Sequence, residues 1–345
     1  MPKKKHMDDR PTDLNPEERG TPIRAVLVYN PGSGKGMGAT RTEDFARHWK
    51  ERVGPGLRLR ATRSREDIRV AARDFEGGED EIRIFMGGDG TLSEGLQGVA
   101  EYRDFDLSGF PPVGFLPGGT GNSFLRDFGI ESYEDGRDAL LAALARPEFV
   151  EVDAAIVSYR SCEADRSVAS GQECRRLMFN IFGVGLISDI TGLATRMRYL
   201  GPANYHVATL WKILSHRPHR WKLAVDGEPA EISCDLVTVS NSRYTGGAME
   251  IAPEIRVNDG KLFLVIVETS FRLDLFRVFP RILKGDYEGE TRVRTRFIRS
   301  LSLEDERPFL MNIDGELETG FSPAMEIKPS FFRLYLPKSR LDSAF

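Results

Sequence analysis

Three segments combine glycine with residues able to hold or move a phosphate. They are Asn30-Pro31-Gly32-Ser33-Gly34-Lys35-Gly36, Gly87-Gly88-Asp89-Gly90-Thr91 and Pro117-Gly118-Gly119-Thr120-Gly121-Asn122. Glycine lets backbone approach a ligand closely. Successive N–H groups in such turns form anion-binding concavities, and a helix N-terminus beyond them adds positive potential. One such loop is an ordinary strand-to-helix turn. Three, each placed between an apolar run and a helical stretch, point to a nucleotide phosphate chain. The P-loop pattern fails, because Tyr29 stands where its first glycine belongs and Gly36 where Ser/Thr is needed. The dinucleotide pattern fits Gly34, Gly36 and Ala39, but no acidic residue closes the following strand LRLRAT, which demotes hydride transfer. Asp89 could face a metal-bound phosphate or an attacking hydroxyl, although Asp-Gly also makes plain turns. The same holds for Asp259-Gly260 and for Asp314-Gly315-Glu316, a tripeptide that recurs as Asp226-Gly227-Glu228 with nothing local to separate the two.

The elements that must position these loops follow from periodicity. IRAVLVYN, LRLRAT, EIRIFMGG and PPVGFLPGG read as strands, and helical stretches over residues 42–52, 66–75, 91–102 and 133–145 alternate with them. Strands alternating with helices predict a parallel α/β layer, whose ligands sit at the carboxyl ends of the strands. Asp89 is expected there on an exposed loop. From residue 149 the pattern becomes antiparallel: VEVDAAIVSY, RRLMFNIFGVG, RWKLAVDG, CDLVTVSN, KLFLVIVE, RTRFIRSLSLE, FLMNIDGE and FRLYLP, several separated by Asp-Gly or Gly-Gly turns. Two helical segments, 205–215 and 273–283, interrupt it. The expected organisation is a polar tail over 1–22, an α/β nucleotide-binding domain over 23–150 and a mainly antiparallel β-sandwich over 151–345.

Composition bounds the function. Of 345 residues, 48 are Lys or Arg and 52 Asp or Glu, a net charge of −4 that argues against a globally basic nucleic-acid binder. Three cysteines without CxxC spacing give neither a disulfide framework nor a zinc site, so a reducing cytoplasm is expected. No apolar run reaches the roughly 18 residues of a membrane span. The first 22 residues lack the apolar stretch of a secretory signal.

NPGSGKG, GGDGTLSE and LPGGTGNSF, in this order and spacing, resemble the catalytic domain of the diacylglycerol kinase and sphingosine kinase superfamily; GGDGT is shared with NAD kinases. The similarity continues through FNIFGVGLISD, RMRYLGPANYHVATLWKIL, APEIRVNDGKL and NIDGE, covering roughly residues 23–337. The resemblance implies a nucleotide domain, a β-sandwich that covers the lipid, and transfer of the γ-phosphate of ATP to a lipid hydroxyl with Mg2+ in the cleft between them. It implies nucleotide contacts from Asn30, Pro31, Ser33, Gly34, Thr62, Gly87, Gly88, Asp89, Gly90, Thr91, Leu92, Ser93 and Thr120. Ser93-Glu94 departs from the Asn-Glu of many bacterial members. Catalytic roles fall on Asp89 and Glu316, with the choice of general base open between them. A structural Mg2+ site is implied at Asp259 with the carbonyls of Arg256 and Lys261. Asp189 and Thr191 match the two substrate-reading positions at which sphingosine kinases carry acids. Threonine at the second position leaves an amine uncompensated, which favours diacylglycerol or a related neutral lipid over a sphingoid base.

A lipid substrate requires a membrane surface. Residues 196–222 hold six Lys/Arg and no acid, with Tyr199, Tyr205, Trp211 and Trp221 interleaved. Residues 271–285 hold four Lys/Arg and one acid, with Phe271, Phe276 and Phe279. Both suit peripheral docking on an anionic membrane that weakens with salt. A homodimer is left open. The competing readings are a kinase of a soluble nucleotide and a lipid-binding regulator with a dead site.

Overall fold

The computed structural model describes residues 23–74, 78, 80–119, 121–162, 169–197, 204–268 and 272–342. The expected tail over 1–22, Thr120, Tyr199 and Phe271 lie outside the described residues. In chain order the first half holds β1 (Ala25–Tyr29), α1 (Ser33–Gly36), α2 (Gly38–Arg52), β2 (Leu57–Ala61), α3 (Arg65–Ala72), β3 (Ile82–Gly87), α4 (Asp89–Tyr102), β4 (Gly114–Pro117), α5 (Ser123–Arg126) and α6 (Tyr133–Ala145). The second half holds β5 (Phe149–Cys162), β6 (Ala169–Met178), β7 (Ile181–Gly185), α7 (Leu186–Arg196), α8 (Asn204–Ser215), β8 (His219–Val225), β9 (Glu228–Cys234) and β10 (Leu236–Ser240). It continues with β11 (Tyr244–Thr245), β12 (Met249–Glu250), β13 (Leu262–Val267), α9 (Arg272–Ile282), β14 (Val293–Ile298), β15 (Ser300–Glu304), β16 (Phe309–Ile313), β17 (Glu316–Tyr335) and α10 (Ser339–Asp342).

The first sheet is parallel throughout, ordered β2-β1-β3-β4. Side chains alternate across a strand, and β1 uses both faces. Ala25 and Leu27 pack with Phe45 and Trp49 of α2 and Leu140, Leu141 and Leu144 of α6. Val26 and Val28 pack with Ile68 of α3 and Leu92, Leu96 and Val99 of α4. Burial on both faces is why these strands read as continuous apolar runs.

Most of the second half is one eleven-stranded sheet, with β11 and β12 forming a separate two-stranded pair. The large sheet curls around its own core. Ala155, Val184, Leu223, Val237, Leu264, Leu301, Ile313 and Met325, from eight different strands, belong to one cluster. The element that makes the sheet continuous is β17, twenty residues long, paired with β16, β15 and β5. Its register shifts fall between Phe321 and Ala324 and between Lys328 and Phe332, around Pro323 and Pro329. Proline cannot donate to a ladder, so it collects at such bulges, which bend a strand. The opposite face of β10 and β13 carries Leu236, Phe263 and Val265, covered by α7, α8 and α9 through Ile190, Ile213, Leu275 and Phe279.

Candidate functional site

The glycine loops meet because glycine permits backbone to stack on backbone. A Cβ on Gly119 would come within 2.6 Å of the Gly88 Cα, and one on Gly34 within 2.4 Å of the Gly118 carbonyl oxygen. Gly34 and Lys35 also carry positive φ, 59° and 61°. Arg41 donates to the Gly118 carbonyl at 3.1 Å and ties the first loop's helix to the third loop. All three loops thus share one edge of the parallel sheet. They form one wall of a cleft of about 630 Å³ that faces the second half of the chain.

That wall holds Asn30, Gly88, Asp89, Gly90, Thr91, Gly119 and Gly121, together with Arg63, Ser64 and Arg65 before and at the start of α3. The other wall holds Asn180, Ile187, Thr191, Tyr205, Met249, Asn312, Asp314 and Glu316. Several expected nucleotide residues lie elsewhere. Leu92 is in the hydrophobic core and Ser93 is buried inside α4. Thr62 is buried and donates its hydroxyl to the Tyr29 carbonyl at 3.0 Å. Pro31, Ser33, Gly34 and Gly87 do not line the cleft; Pro31 is exposed, Ser33 and Gly34 are half-buried and Gly87 is buried. Ser33 keeps a buried hydroxyl without a hydrogen-bond partner, and Asn30 accepts from the Gly32 N–H at 2.8 Å to shape the loop.

Asp89 is not on an exposed loop. Its carboxylate accepts from the backbone N–H groups of Ser123 at 2.8 Å and Phe124 at 3.2 Å. Burial pushes its pKa up, and those hydrogen bonds oppose the shift without cancelling it. Asp89 therefore fastens the second loop to the start of α5. Glu316 opens β17 directly across the cleft: its Oε1 lies 3.6 Å from where a Cβ on Gly90 would stand. It pairs with the guanidinium of Arg65. The preceding Asp314 is buried and accepts from Phe179 N–H at 3.0 Å, Asn180 N–H at 3.0 Å and Ile181 N–H at 2.8 Å. Burial pushes its carboxyl up to about 7 even against those three donors. Asp314 thus locks the Glu316 turn onto β7.

The substrate positions separate. Thr191 lines the cleft, donating to the Ile187 carbonyl at 2.9 Å and accepting from Asn312 Nδ2 at 3.3 Å. Asp189 points away and faces Lys212 of α8 at 3.4 Å. Asp259, Arg256 and Lys261 lie outside the cleft. The Asp259 carboxylate accepts from the Lys261 N–H at 3.0 Å and the Arg256 N–H at 3.4 Å, and the Arg256 carbonyl accepts from the Asp259 N–H at 3.3 Å. Neighbouring Asp153 accepts from Gly260 and Ser330. The loop closes on its own hydrogen bonds, as a hairpin turn does. Among the described residues no group of three or more His, Cys, Asp or Glu is placed to hold a metal. Arg63 and Arg65 belong to no glycine motif, and their only signal in the sequence is that they follow a parallel strand at the edge where ligands gather.

Comparison with known proteins agrees with this geometry. The diacylglycerol kinase catalytic domain family matches residues 24–157, and the YegS C-terminal NAD kinase beta sandwich-like domain matches residues 181–336. A diacylglycerol kinase of Bacillus subtilis is 27% identical over 305 residues, 85% of this chain and 89% of that protein. One of Mycobacterium tuberculosis is 25% identical over 284 residues, 81% of this chain and 85% of that protein. A crystal structure of a diacylglycerol kinase from Bacillus anthracis shares the fold, with a TM-score of 0.64 at 20% identity over 92% of this chain and 97% of that one. The two matched domains fall on the two walls of one cleft, and the chain belongs to the diacylglycerol kinase superfamily of NAD-kinase-like lipid kinases.

Proposed function

We propose that the protein transfers the γ-phosphate of ATP, taken as its Mg2+ complex, to the hydroxyl of a neutral lipid such as diacylglycerol. The observation that carries this reading is the placement of Glu316 against Gly90, a carboxylate facing a phosphate-type loop across the cleft. In-line transfer needs a held phosphate chain and a proton acceptor at the attacking oxygen. The glycine loops, with Arg63 on the same wall, suit the first task. Glu316 suits the second better than Asp89, whose two oxygens are engaged with backbone N–H groups. A neutral acceptor is favoured because the position that would meet a cationic amine is Thr191, while Asp189 turns to Lys212.

The same reading includes peripheral membrane docking, with an apolar part larger than the sequence implied. Helix α8 exposes Val207, Leu210, Trp211 (66%) and Leu214, and neighbouring α9 exposes Leu273 (72%) and Phe276. Trp221 and Phe279, which the sequence pattern assigns to the membrane-facing segments, are core residues. Lys212 is paired with Asp189, Arg277 with Glu290, and Arg281 with Asp286 and Glu290. The test is incorporation of label from γ-labelled ATP into diacylglycerol, sphingosine and ceramide in mixed micelles, repeated with Thr191→Asp. Diacylglycerol is the expected preference, shifting toward sphingosine in the variant. A wild-type preference for sphingosine would remove the neutral-lipid assignment, and no labelling of any lipid would favour a binding protein instead.

A further inference from the structure

Arg65 stands where two anions compete for it. It is the first residue of α3, with Ser64 as the N-cap and Asp67 completing a capping box. That capping fixes the start of the helix, so the Arg65 backbone is set and its side chain alone can move. The guanidinium pairs with Glu316 across the cleft. The two partners differ in freedom: the Arg65 side chain is 58% exposed, that of Glu316 only 12%. A phosphate chain on the Gly88–Gly90 backbone would lie beside Glu316, whose carboxylate is already against Gly90. Two anions that close repel, and one guanidinium cannot engage both fully.

We propose that Arg65 is a nucleotide-operated latch on Glu316. In the free enzyme it neutralises the carboxylate. When ATP enters, its phosphates draw the guanidinium off, and Glu316 is left unpaired only while the phosphoryl donor is in place. A carboxylate bound to a guanidinium is a poor proton acceptor. Released beside phosphates, its proton affinity rises. Arg65 is thus a positioning residue that ties readiness of the base to occupancy of the donor site. This rests on the ATP-site reading above and adds the coupling between donor and base.

The test is calorimetric titration of Mg2+-ATP into wild type, Arg65→Gln, Glu316→Gln and the double variant. Without its competitor, Arg65 is fully available to phosphate, so Glu316→Gln tightens ATP binding by roughly five- to tenfold. In the Arg65→Gln background the same substitution relieves only carboxylate–phosphate repulsion and tightens binding by at least about threefold less than in wild type, because no latch remains to be opened. Equal tightening in both backgrounds would reflect carboxylate–phosphate repulsion alone and overturn the latch while sparing the ATP site. Absence of ATP binding in all four proteins would overturn the ATP site and the latch together. Arg65→Lys keeps a movable charge, and the coupling must reappear in it. Loss of coupling in Arg65→Lys with intact ATP binding also overturns the proposal.

Discussion

At the scale of single residues, the tripeptide Asp-Gly-Glu occurs at 226–228 and again at 314–316. Asp226-Gly227 and Asp314-Gly315 adopt the same turn, with φ of 50° and 82° in the first and 51° and 87° in the second. Local chemistry therefore made them indistinguishable. Register separates them. The Asp226 carboxylate accepts from Arg299 and Ser300 at the surface, and Glu228 faces solvent beside Arg296. Asp314 is buried against β7 and delivers Glu316 to the cleft. Glu316→Gln is expected to lower kcat by roughly 10²–10⁴, and Glu228→Gln to leave it within about twofold of wild type, in steady-state assays at saturating ATP. A similar loss at both positions would remove Glu316 from proton transfer. Asp89 calls for a different experiment. Deleting its carboxylate leaves the Ser123 and Phe124 N–H groups without acceptors, at a cost of about 1–3 kcal/mol. Asp89→Ala should therefore lower the melting temperature as well as activity. An unchanged melting curve would show that Asp89 does not fasten the third loop.

At the scale of elements, the parallel strands and the glycine loops were legible because both-face burial and strand-end glycines leave strong local marks. Strand β17 was legible only at its end. Gly320, Pro323 and Pro329 break its pattern, and its continuity comes from bulges that only the partners β15, β16 and β5 define. Helix α8 shows a second limit. Its apolar residues form two stripes, Ala208 and Ile213 facing inward and Val207, Leu210, Trp211 and Leu214 facing outward. Periodicity finds such stripes but cannot say which one meets the core. An outward stripe at i, i+3, i+4 and i+7 fits shallow insertion into a lipid surface. Trp211→Glu is expected to reduce co-sedimentation with diacylglycerol-containing vesicles by about tenfold, since it replaces a buried aromatic contact with a charge. Wild-type binding should largely survive a rise from 0.1 to 0.5 M salt, unlike a purely electrostatic attachment. Salt-sensitive binding that ignores Trp211→Glu would return the surface to its exposed basic residues, Arg196 and Arg217 among them.

At the scale of the molecule, the two halves are sewn together rather than tethered. The end of β17 returns to the edge of the parallel sheet, where the Val113 N–H donates to the Arg333 carbonyl and the Val113 carbonyl accepts from the Tyr335 N–H, each at 2.8 Å. Val150, Val152, Phe332 and Leu334 share a core cluster with Val28 and Leu96. Polar contacts cross the same seam. Gln97 of α4 donates to the Arg175 carbonyl and accepts from the Leu177 N–H, and Glu94 meets Arg176 at 3.2 Å while also pairing with Arg69. Burial alone would raise the Glu94 carboxyl, but those two arginines outweigh it and hold it below its ordinary range. Its stabilising contribution is therefore present above its unfolded pKa and is lost only in acid. Asp127 has the opposite sign. It accepts from the Arg243 N–H at 2.9 Å, its Oδ2 is buried without a partner, and burial pushes its carboxyl up to about 7 against the pull of Arg243. A raised carboxyl favours the fold below its unfolded pKa near 4 and forfeits that advantage as pH rises toward 7. Asp127→Asn imitates the neutral form and keeps an oxygen for the Arg243 N–H. Urea unfolding from pH 4 to 8 should then show the variant gaining on wild type as pH rises, by at most about 1.4 kcal/mol per pH unit and levelling off above 7. Parallel stability curves would mean that Asp127 is ionised in the fold and that Arg243, not a shared proton, holds this part of the seam.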